Sequence, residues 1–377
     1  MTLTAQLRQH LVDTLTTTGV LTDRSVTEAF AAVPRHHFAP AVYRVSGQGQ
    51  IGDVLDGADL THAGDYLSAV YSDEAIVTQI APDGRPTSSS TQPGVMAVML
   101  QALDLAAGMT VLEVGTGTGY NAALLSQILG SEQVTSVDID AGLVDQARVA
   151  LAAAGYRPRL AAADGLSGYR PSAPYDRIIA TCSVRRVPAA WLRQTKPGGL
   201  VMANMSYGVV PLRVRPDGSG EGRFLSQVCA FIEARPADGP LGPTSDRMIE
   251  VCMGGEGATS AGTVQQVEWF AEDRCEFFWR LSEPSVYQCT LTGDMGKIHC
   301  LVDAGTDSWA RVHHDQSGVT VVQGGSRRVW DDIMQVCQRW DDAGRPGHYR
   351  LGLTVSPEGH HVLWVDRPDG AHRWPLR

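Results

Sequence analysis

Apolar and polar positions alternate with helical spacing at the amino-terminal end of the chain. This pattern predicts an amphipathic helix in residues 1–19 and a second in residues 23–33, which Pro34 ends. Residues 46–64 are rich in Gly, Asp and Gln with little periodicity, as is typical of a loop or a mobile cover. We therefore predict that residues 1–85 form helices and a cover loop.

From residue 92 onward, helical segments alternate with short apolar runs that end in glycine turns. The runs VTSVDI, RIIATC and GLVMANM have the composition of buried strands. Strands that alternate with helices indicate a parallel sheet with crossover helices. We predict a doubly wound α/β domain over residues 86–235.

The stretch that follows is rich in Pro, Gly and polar residues, which predicts a linker over residues 236–247. Beyond it, short strand-like runs (KIHCLVD, ARVHHD, VTVVQ, YRLGLTV and HVLWVD) surround one helical pattern at residues 328–340. We predict an α+β module over residues 248–377 and assign it to recognition of a peptide substrate.

Composition excludes several classes of function. The chain has 377 residues, 43% hydrophobic and 19% charged, without an apolar run long enough to cross a bilayer. Its amino-terminal end lacks the features of a secretory signal, so we expect a cytoplasmic protein. Seven cysteines without metal spacing predict neither a metal site nor disulfides. The net charge of −10 argues against a nucleic-acid partner.

The most informative segment is VLEVGTGTGY at residues 111–120. An apolar strand carrying Glu113 enters a turn with Gly115, Gly117 and Gly119, and a helical pattern follows. Without side chains at these positions, the backbone amides can approach a ligand closely. The turn therefore predicts a nucleoside-binding site, although an ordinary tight turn between strand and helix is the simpler alternative.

Two later acids lie in register with this turn. Asp138 ends the next predicted strand, where a carboxylate accepts hydrogen bonds from ribose hydroxyls, and Asp164 falls where such folds place an acid against adenine. The GxGxG spacing favours S-adenosylmethionine over a dinucleotide, which is the alternative cofactor. The predicted cofactor-binding residues are Glu113, Gly115, Thr116, Gly117, Gly119, Asp138, Ile139, Asp164 and Gly165.

Over residues 26–205 the sequence resembles the protein L-isoaspartyl (D-aspartyl) O-methyltransferase family. The likeness is carried by VPRHHFAP, YSDEAIV, TQPGVMAVMLQAL, VLEVGTGTGYNAALLSQ, ADGLSGY and APYDRIIATC, in that order. The resemblance implies a class I methyltransferase fold and transfer of a methyl group from S-adenosylmethionine to a carboxylate, with S-adenosylhomocysteine as the product.

The sequence departs from that family in two places. Thr91 stands where the family usually has Ser, inside an SSSTQP run, and the chain continues far beyond the matching region. These features are similar to a branch associated with ribosomally made, modified peptides such as lanthipeptides and graspetides. That resemblance implies methylation of an aspartate in a precursor peptide and closure of the ester to an aspartimide, which we favour. Repair of isoaspartate in damaged proteins, small-molecule methylation and non-catalytic cofactor binding remain alternatives.

An aspartyl carboxylate, with a pKa of about 3.9, is already ionised at neutral pH and needs no general base. The enzyme has only to orient it. We predict that Thr91 and Ser90 are the catalytic hydroxyls and that Ser89 and Gln92 bind the substrate. The alternative is a serine-rich loop whose hydroxyls cap the helix predicted at residues 95–103.

Overall fold

The computed structural model describes residues 2–45, 51–235, 242–293 and 296–376. Two compact units can be distinguished: the first ends at residue 237 and also includes residues 355–359, and the remainder forms the second. The change of unit falls inside the predicted linker. Residues 236–241 of that linker lie outside the described residues, and its last three residues begin a helix rather than a loop.

The amino-terminal part of the first unit combines helices with a small sheet. Its elements are α1 (Leu3–Thr17), α2 (Arg24–Ala32), β1 (Ala41–Val45), β2 (Ile51–Asp56), α3 (Ala63–Val70), β3 (Ile76–Ile80) and β4 (Pro86–Ser90). The strands are antiparallel in the order β2-β1-β3-β4. The cover loop predicted for residues 46–64 is therefore corrected: β2 and the start of α3 occupy much of it, and residues 46–50 lie outside the described residues.

The two predicted amino-terminal helices are present, and each begins at a capping side chain. Thr2 accepts a hydrogen bond from the first turn of α1, and Asp23 does the same for α2. The sheet escaped prediction because its strands are short and half-exposed, so that cross-strand pairing rather than local pattern determines them.

The larger sheet of the first unit is the predicted doubly wound one. Its elements are α4 (Pro93–Ala102), β5 (Val111–Val114), α5 (Tyr120–Leu129), β6 (Val134–Asp138), α6 (Ala141–Ala153), β7 (Arg159–Ala162), β8 (Tyr175–Ser183), α7 (Ala189–Gln194), β9 (Thr195–Met205), β10 (Gly208–Val214) and β11 (Gly220–Arg223). The strands lie in the order β11-β10-β9-β8-β5-β6-β7. Strands β5 to β9 pair in parallel, whereas β10 and β11 are antiparallel additions.

This strand order creates a crevice beside β5. The chain moves outward from β5 to β7 and then returns to place β8 on the other side of β5. Ligands of doubly wound sheets bind where the order reverses, at the carboxyl ends of the strands. Every residue of β5 is buried, and α5 is buried along most of its length against α2 and the sheet, so this edge rests on a rigid core.

The second unit is an α+β structure. Its elements are α8 (Ser245–Gly254), β12 (Ala258–Ala261), α9 (Val264–Ala271), α10 (Asp273–Ser282), β13 (Val286–Gly293), β14 (Gly296–Asp303), β15 (Ser308–Asp315), β16 (Gly318–Gly324), α11 (Val329–Asp342), β17 (Leu351–Val355), β18 (His361–Val365) and β19 (Arg373–Leu376). Five strands form an antiparallel sheet in the order β12-β16-β15-β14-β13, and α8 and α11 both pack on it.

The strands and the helix predicted for this unit are present, but α8, α9, α10, β12, β13 and β19 were missed. The missed helices have 8 to 10 residues each, and β12, β13 and β19 are mostly exposed or half-buried. Along the chain that the structure describes, no helix combines the length and apolar character needed to span a membrane.

Candidate active site

A cavity that is partly open to solvent lies at the carboxyl end of β5. Its wall is formed by β4, the glycine turn, the ends of β6 and β8, and residues 232–235. The structure brings these predicted residues together in the wall: Ser89, Ser90, Thr91, Glu113, Gly115, Thr116, Gly117, Asp138, Ile139, Asp164 and Gly165. Gly119 and Gln92 lie outside it.

The glycine turn has the backbone conformation that the sequence predicts. Gly115 has a φ of +99°, and a Cβ there would lie 2.8 Å from the hydroxyl of Thr181, which itself donates a hydrogen bond to the Gly115 carbonyl. The turn therefore has no room for a side chain at Gly115. One expectation is wrong: the amides of Gly115, Thr116 and Gly117 already donate to Val137 and Asp138, and so are not free for a ligand.

Gly119, predicted to bind the cofactor, instead serves packing. It is the residue before α5, with a φ of +87°, and a Cβ there would lie 3.1 Å from the side chain of Ala147 on α6. Its missing side chain allows the two helices to approach each other, which explains a glycine here without any ligand contact.

The two predicted acids lie at the ends of neighbouring strands. One carboxylate oxygen of Asp138 accepts the Gly117 amide at 2.9 Å, and the other accepts the Asp140 amide at 3.1 Å. Each oxygen keeps a further lone pair for a ligand. Asp164 uses Oδ1 to accept the Leu166 amide at 2.9 Å, and its Oδ2 accepts no hydrogen bond from the part of the chain described here. Both positions therefore suit the ribose and adenine of a nucleoside.

Glu113, also predicted to bind the cofactor, is fully buried and engaged by the protein. Its Oε2 accepts the Ser136 hydroxyl at 2.5 Å, and its Oε1 accepts the Asn121 amide at 2.8 Å. Burial raises the pKa of Glu113 to about 7. Glu113 supports the turn from behind, and its contact with the cofactor stays a prediction.

Asn121 was missed by sequence reasoning. It lines the cavity and is 7% exposed, and its Oδ1 has no hydrogen-bond donor among the described residues. The closed glycine turn, the acids at two strand ends and this orphaned acceptor together fit S-adenosylmethionine, whose sugar, base and ammonium group all require acceptors.

The predicted acceptor hydroxyls lie on β4, an edge strand of the small sheet. Ser90 and Ser89 pair with Ile76 and Val77 of β3. The alternative of a serine-rich loop that caps the next helix is wrong, because no side chain caps α4 in that way. Among the described residues, nothing pairs with the Thr91 hydroxyl, so it can donate into the cavity.

Asp73, rather than a serine or threonine hydroxyl, accepts a hydrogen bond from the first turn of α4. Its Oδ1 accepts the Gly94 amide of the first turn of α4 at 2.6 Å. Gln92, predicted to bind substrate, directs its side-chain amide to Asp73 Oδ2 at 3.3 Å and lies outside the cavity wall. This prediction is corrected, since the side chain fixes the start of a helix.

Arg35 is a second residue that the sequence did not predict, and it holds β4 by hydrogen bonds. It is fully buried and makes six hydrogen bonds: one to the Ser90 hydroxyl and one to each of five carbonyls, those of Val70, Ser72, Glu74, Ser90 and Thr91. Burial lowers its pKa to about 10, so it remains charged at neutral pH. Arg35 belongs to the VPRHHFAP stretch that carries the family resemblance, but nothing in the sequence shows that this arginine is buried.

No histidine lies in the described wall of the cavity. Cys182 lies in it, but burial raises the pKa of this thiol to about 12, so it is protonated at neutral pH. His36 lies outside the wall, where its Nδ1 is 2.6 Å from the Tyr71 hydroxyl, and burial lowers its pKa to about 4. Within the residues described, no cluster of His, Cys, Asp or Glu has metal-binding geometry.

Comparison with known proteins identifies similar sequences. The family model "Protein-L-isoaspartate(D-aspartate) O-methyltransferase" matches residues 5–210, more than half of the chain. A "Protein-L-isoaspartate O-methyltransferase" from Ignicoccus hospitalis is 33% identical over 55% of this chain and 83% of that protein. One of the same name from Methanopyrus kandleri is 34% identical over 51% and 74%.

A solved structure is also similar. A "protein-L-isoaspartate O-methyltransferase" aligns with 96% of this chain and 100% of that one, with a TM-score of 0.55 at 22% identity. At that identity the likeness concerns the fold alone, and it confirms the predicted class I methyltransferase fold. The alignment is not confined to the residues that the family model matches.

Proposed function

This chain belongs to the protein-L-isoaspartate(D-aspartate) O-methyltransferase family, and on that premise we propose that it esterifies the free carboxylate of L-isoaspartyl residues in peptides or proteins. Its cofactor is S-adenosylmethionine. The observation that carries the proposal is the position of the β4 hydroxyls, which line the same cavity as the glycine turn.

The reaction requires mainly that the protein hold the acceptor carboxylate and the methyl group of the cofactor close together. When bound, the cofactor would supply an electrophilic methyl group to a carboxylate oxygen of the acceptor, a transfer that moves no proton. A carboxylate nucleophile is already an anion at neutral pH and needs no general base. Thr91 and Ser90 orient this anion, and the Arg35 charge behind Ser90 strengthens the donor.

Glu113, Asp138 and Asp164 form the cofactor half of the site in this proposal. Asp138 and Asp164 accept from the ribose hydroxyls and the adenine amine, and Thr116, Ile139 and Gly165 shape the wall beside them. A Cβ at Gly165 would lie 2.4 Å from the Val114 side chain, so the close contact of this loop with β5 requires glycine.

The acceptor is tested with two peptides of one sequence, one containing L-isoaspartate and the other L-aspartate at the same position. We expect S-adenosylhomocysteine release with the isoaspartyl peptide only. A set of unrelated isoaspartyl peptides should also be accepted. Equal turnover of both peptides, or of neither, contradicts the proposal.

Thr91→Ala tests the placement of the acceptor. We expect kcat for the isoaspartyl peptide to fall by about 10- to 100-fold, as when one hydrogen bond to a charged group is lost, whereas the Kd for S-adenosylhomocysteine should stay within about twofold. Thr91→Ser, which keeps the hydroxyl, is the matched control and should retain most of the activity. Unchanged kcat in Thr91→Ala removes this hydroxyl from the mechanism.

A second candidate function is methylation of an aspartate in a ribosomally made precursor peptide, with closure to an aspartimide. It is supported by the second unit, which lies beyond the residues matched by the family model and which we propose as a peptide-recognition module. Weighing against it, the two relatives that are 33% and 34% identical are both named protein-L-isoaspartate O-methyltransferases.

The two candidates differ in a mass measurement. The full chain is incubated with cofactor and a candidate precursor peptide encoded near its gene. A gain of one methyl group followed by loss of methanol supports the precursor function and its imide product. Methylation of isoaspartyl peptides with no modification of the precursor supports the first proposal.

A further inference from the structure

Asn121 presents a polar atom that the protein does not use. It is the second residue of α5 and lines the cavity beside the glycine turn, and no donor in the described chain reaches its Oδ1. Buried acceptors without a donor are rare in folded proteins, and at a ligand cavity they point to a donor that the ligand brings.

The orientation of this amide is determined by its neighbours. Its Nδ2 donates to Glu113 Oε1 at 2.8 Å, while Ser136 occupies the other oxygen of Glu113. The nitrogen of the amide faces Glu113, whose two oxygens both accept hydrogen bonds. The oxygen is therefore held on the opposite side, where no donor of the described chain reaches it.

The position identifies which part of the cofactor this oxygen meets. Asp138 and Asp164 lie at the ends of β6 and β7, where they suit the sugar and the base. Asn121 lies instead in the first turn of α5, close after the end of β5, which leaves the amino-acid portion. That portion carries a carboxylate, which an acceptor repels, and an ammonium group, which an acceptor binds.

We propose that the Asn121 Oδ1 accepts a hydrogen bond from the ammonium group of the cofactor, and that Glu113 is a positioning residue that orients the amide. Recognition of the ammonium group thus passes through a neutral amide backed by a carboxylate, rather than through the carboxylate itself. The inference concerns the methyl donor only, so it does not depend on the identity of the acceptor.

The test is calorimetry with two ligands: S-adenosylhomocysteine and its analogue in which hydrogen replaces the amino group. We expect the unaltered protein to prefer the amine-bearing ligand by about 10- to 100-fold, the range for one hydrogen bond to a charged group. Asn121→Leu should bind S-adenosylhomocysteine as weakly as the analogue, with the affinity for the analogue changed less than about threefold.

Ser126→Ala is the matched control. Ser126 is buried on the same helix, and its hydroxyl donates only to the Ala122 carbonyl, away from the cavity. This variant should bind both ligands normally. If Asn121→Leu weakens both ligands equally, the role is structural and the proposal fails. It fails as well if the unaltered protein shows no preference between the ligands, a result that needs no variant to fold.

Discussion

Replacing Arg35 by methionine should destabilise the protein strongly, because this side chain holds together parts of the chain that are distant in sequence. Arg35 is bonded to five carbonyls and one hydroxyl, which lie 35 to 56 residues away. Methionine fills a similar volume but offers no donor. Each buried acceptor left without a partner costs about 1–3 kcal/mol, less where water can enter.

The cost of burying the charge partly offsets this loss. Burial lowers the pKa of Arg35 from its ordinary 12.5 to about 10, which corresponds to roughly 3 kcal/mol against the charged form, a penalty that methionine does not carry. We therefore expect the free energy of unfolding to fall by about 3–6 kcal/mol. Arg35→Lys keeps the charge but has three donors rather than five, so it should lose about half as much.

Urea unfolding followed by circular dichroism measures this difference, with Arg213→Met as the matched control. Arg213 is exposed and donates to a single carbonyl, that of Gly198, so its replacement should change stability by about 0.5 kcal/mol or less. Under conditions where Arg35→Met stays folded, S-adenosylhomocysteine should bind nearly normally and the acceptor weakly. A loss no larger than that of Arg213→Met would refute the reasoning.

Three further predictions follow from the cofactor half and its surroundings. Burial raises the pKa of Glu113 from 4.5 to about 7, so the protonated side chain stabilises the protein at low pH and this stabilisation is lost as the pH rises through 7. Relative to Glu113→Gln, the unaltered protein should lose roughly 3 kcal/mol of stability between pH 4.5 and 8, measured by urea unfolding. Gly115→Ala places a Cβ against the Thr181 hydroxyl and should abolish calorimetric binding of S-adenosylhomocysteine, whereas Gly19→Ala, which also has a positive φ but faces open space, should bind normally. Asp73→Ala removes the acceptor at the start of α4 and should lower the melting temperature by an amount equivalent to about 0.5–2 kcal/mol.

The cofactor half of the site was predictable because its pattern is local. A buried strand, a glycine turn and a helix follow one another within residues 111–129, and Asp138 ends the next strand. Such a sequence can adopt few arrangements, since parallel strands with crossover helices have one handedness and place their ligands at one edge. What the pattern did not reveal was the use of each group: Glu113 faces inward, and Gly119 packs against a helix.

The acceptor half was less predictable because it depends on contacts between distant segments. The sequence of β4 is polar and rich in serine, and it forms a strand because it pairs with β3. The sequence does not show that Arg35 is buried, because charged side chains are usually exposed and its partners come from two other segments of the chain. In the sequence Asn121 is an ordinary helix residue, and only the structure shows that its Oδ1 has no hydrogen-bond donor among the described residues.

These two halves are held by different interactions, and this difference has a functional consequence. The donor side rests on backbone geometry and on the chain of hydrogen bonds from Thr116 through Ser136 to Glu113 and Asn121. The acceptor side rests on the buried charge of Arg35, which makes no hydrogen bond to that chain. Substitutions in β4 can therefore change which carboxylate is presented without altering the cofactor site. The same donor half would serve an isoaspartyl or an aspartyl acceptor, so the choice between them must be made by β4 and by the surfaces that bring the peptide to it.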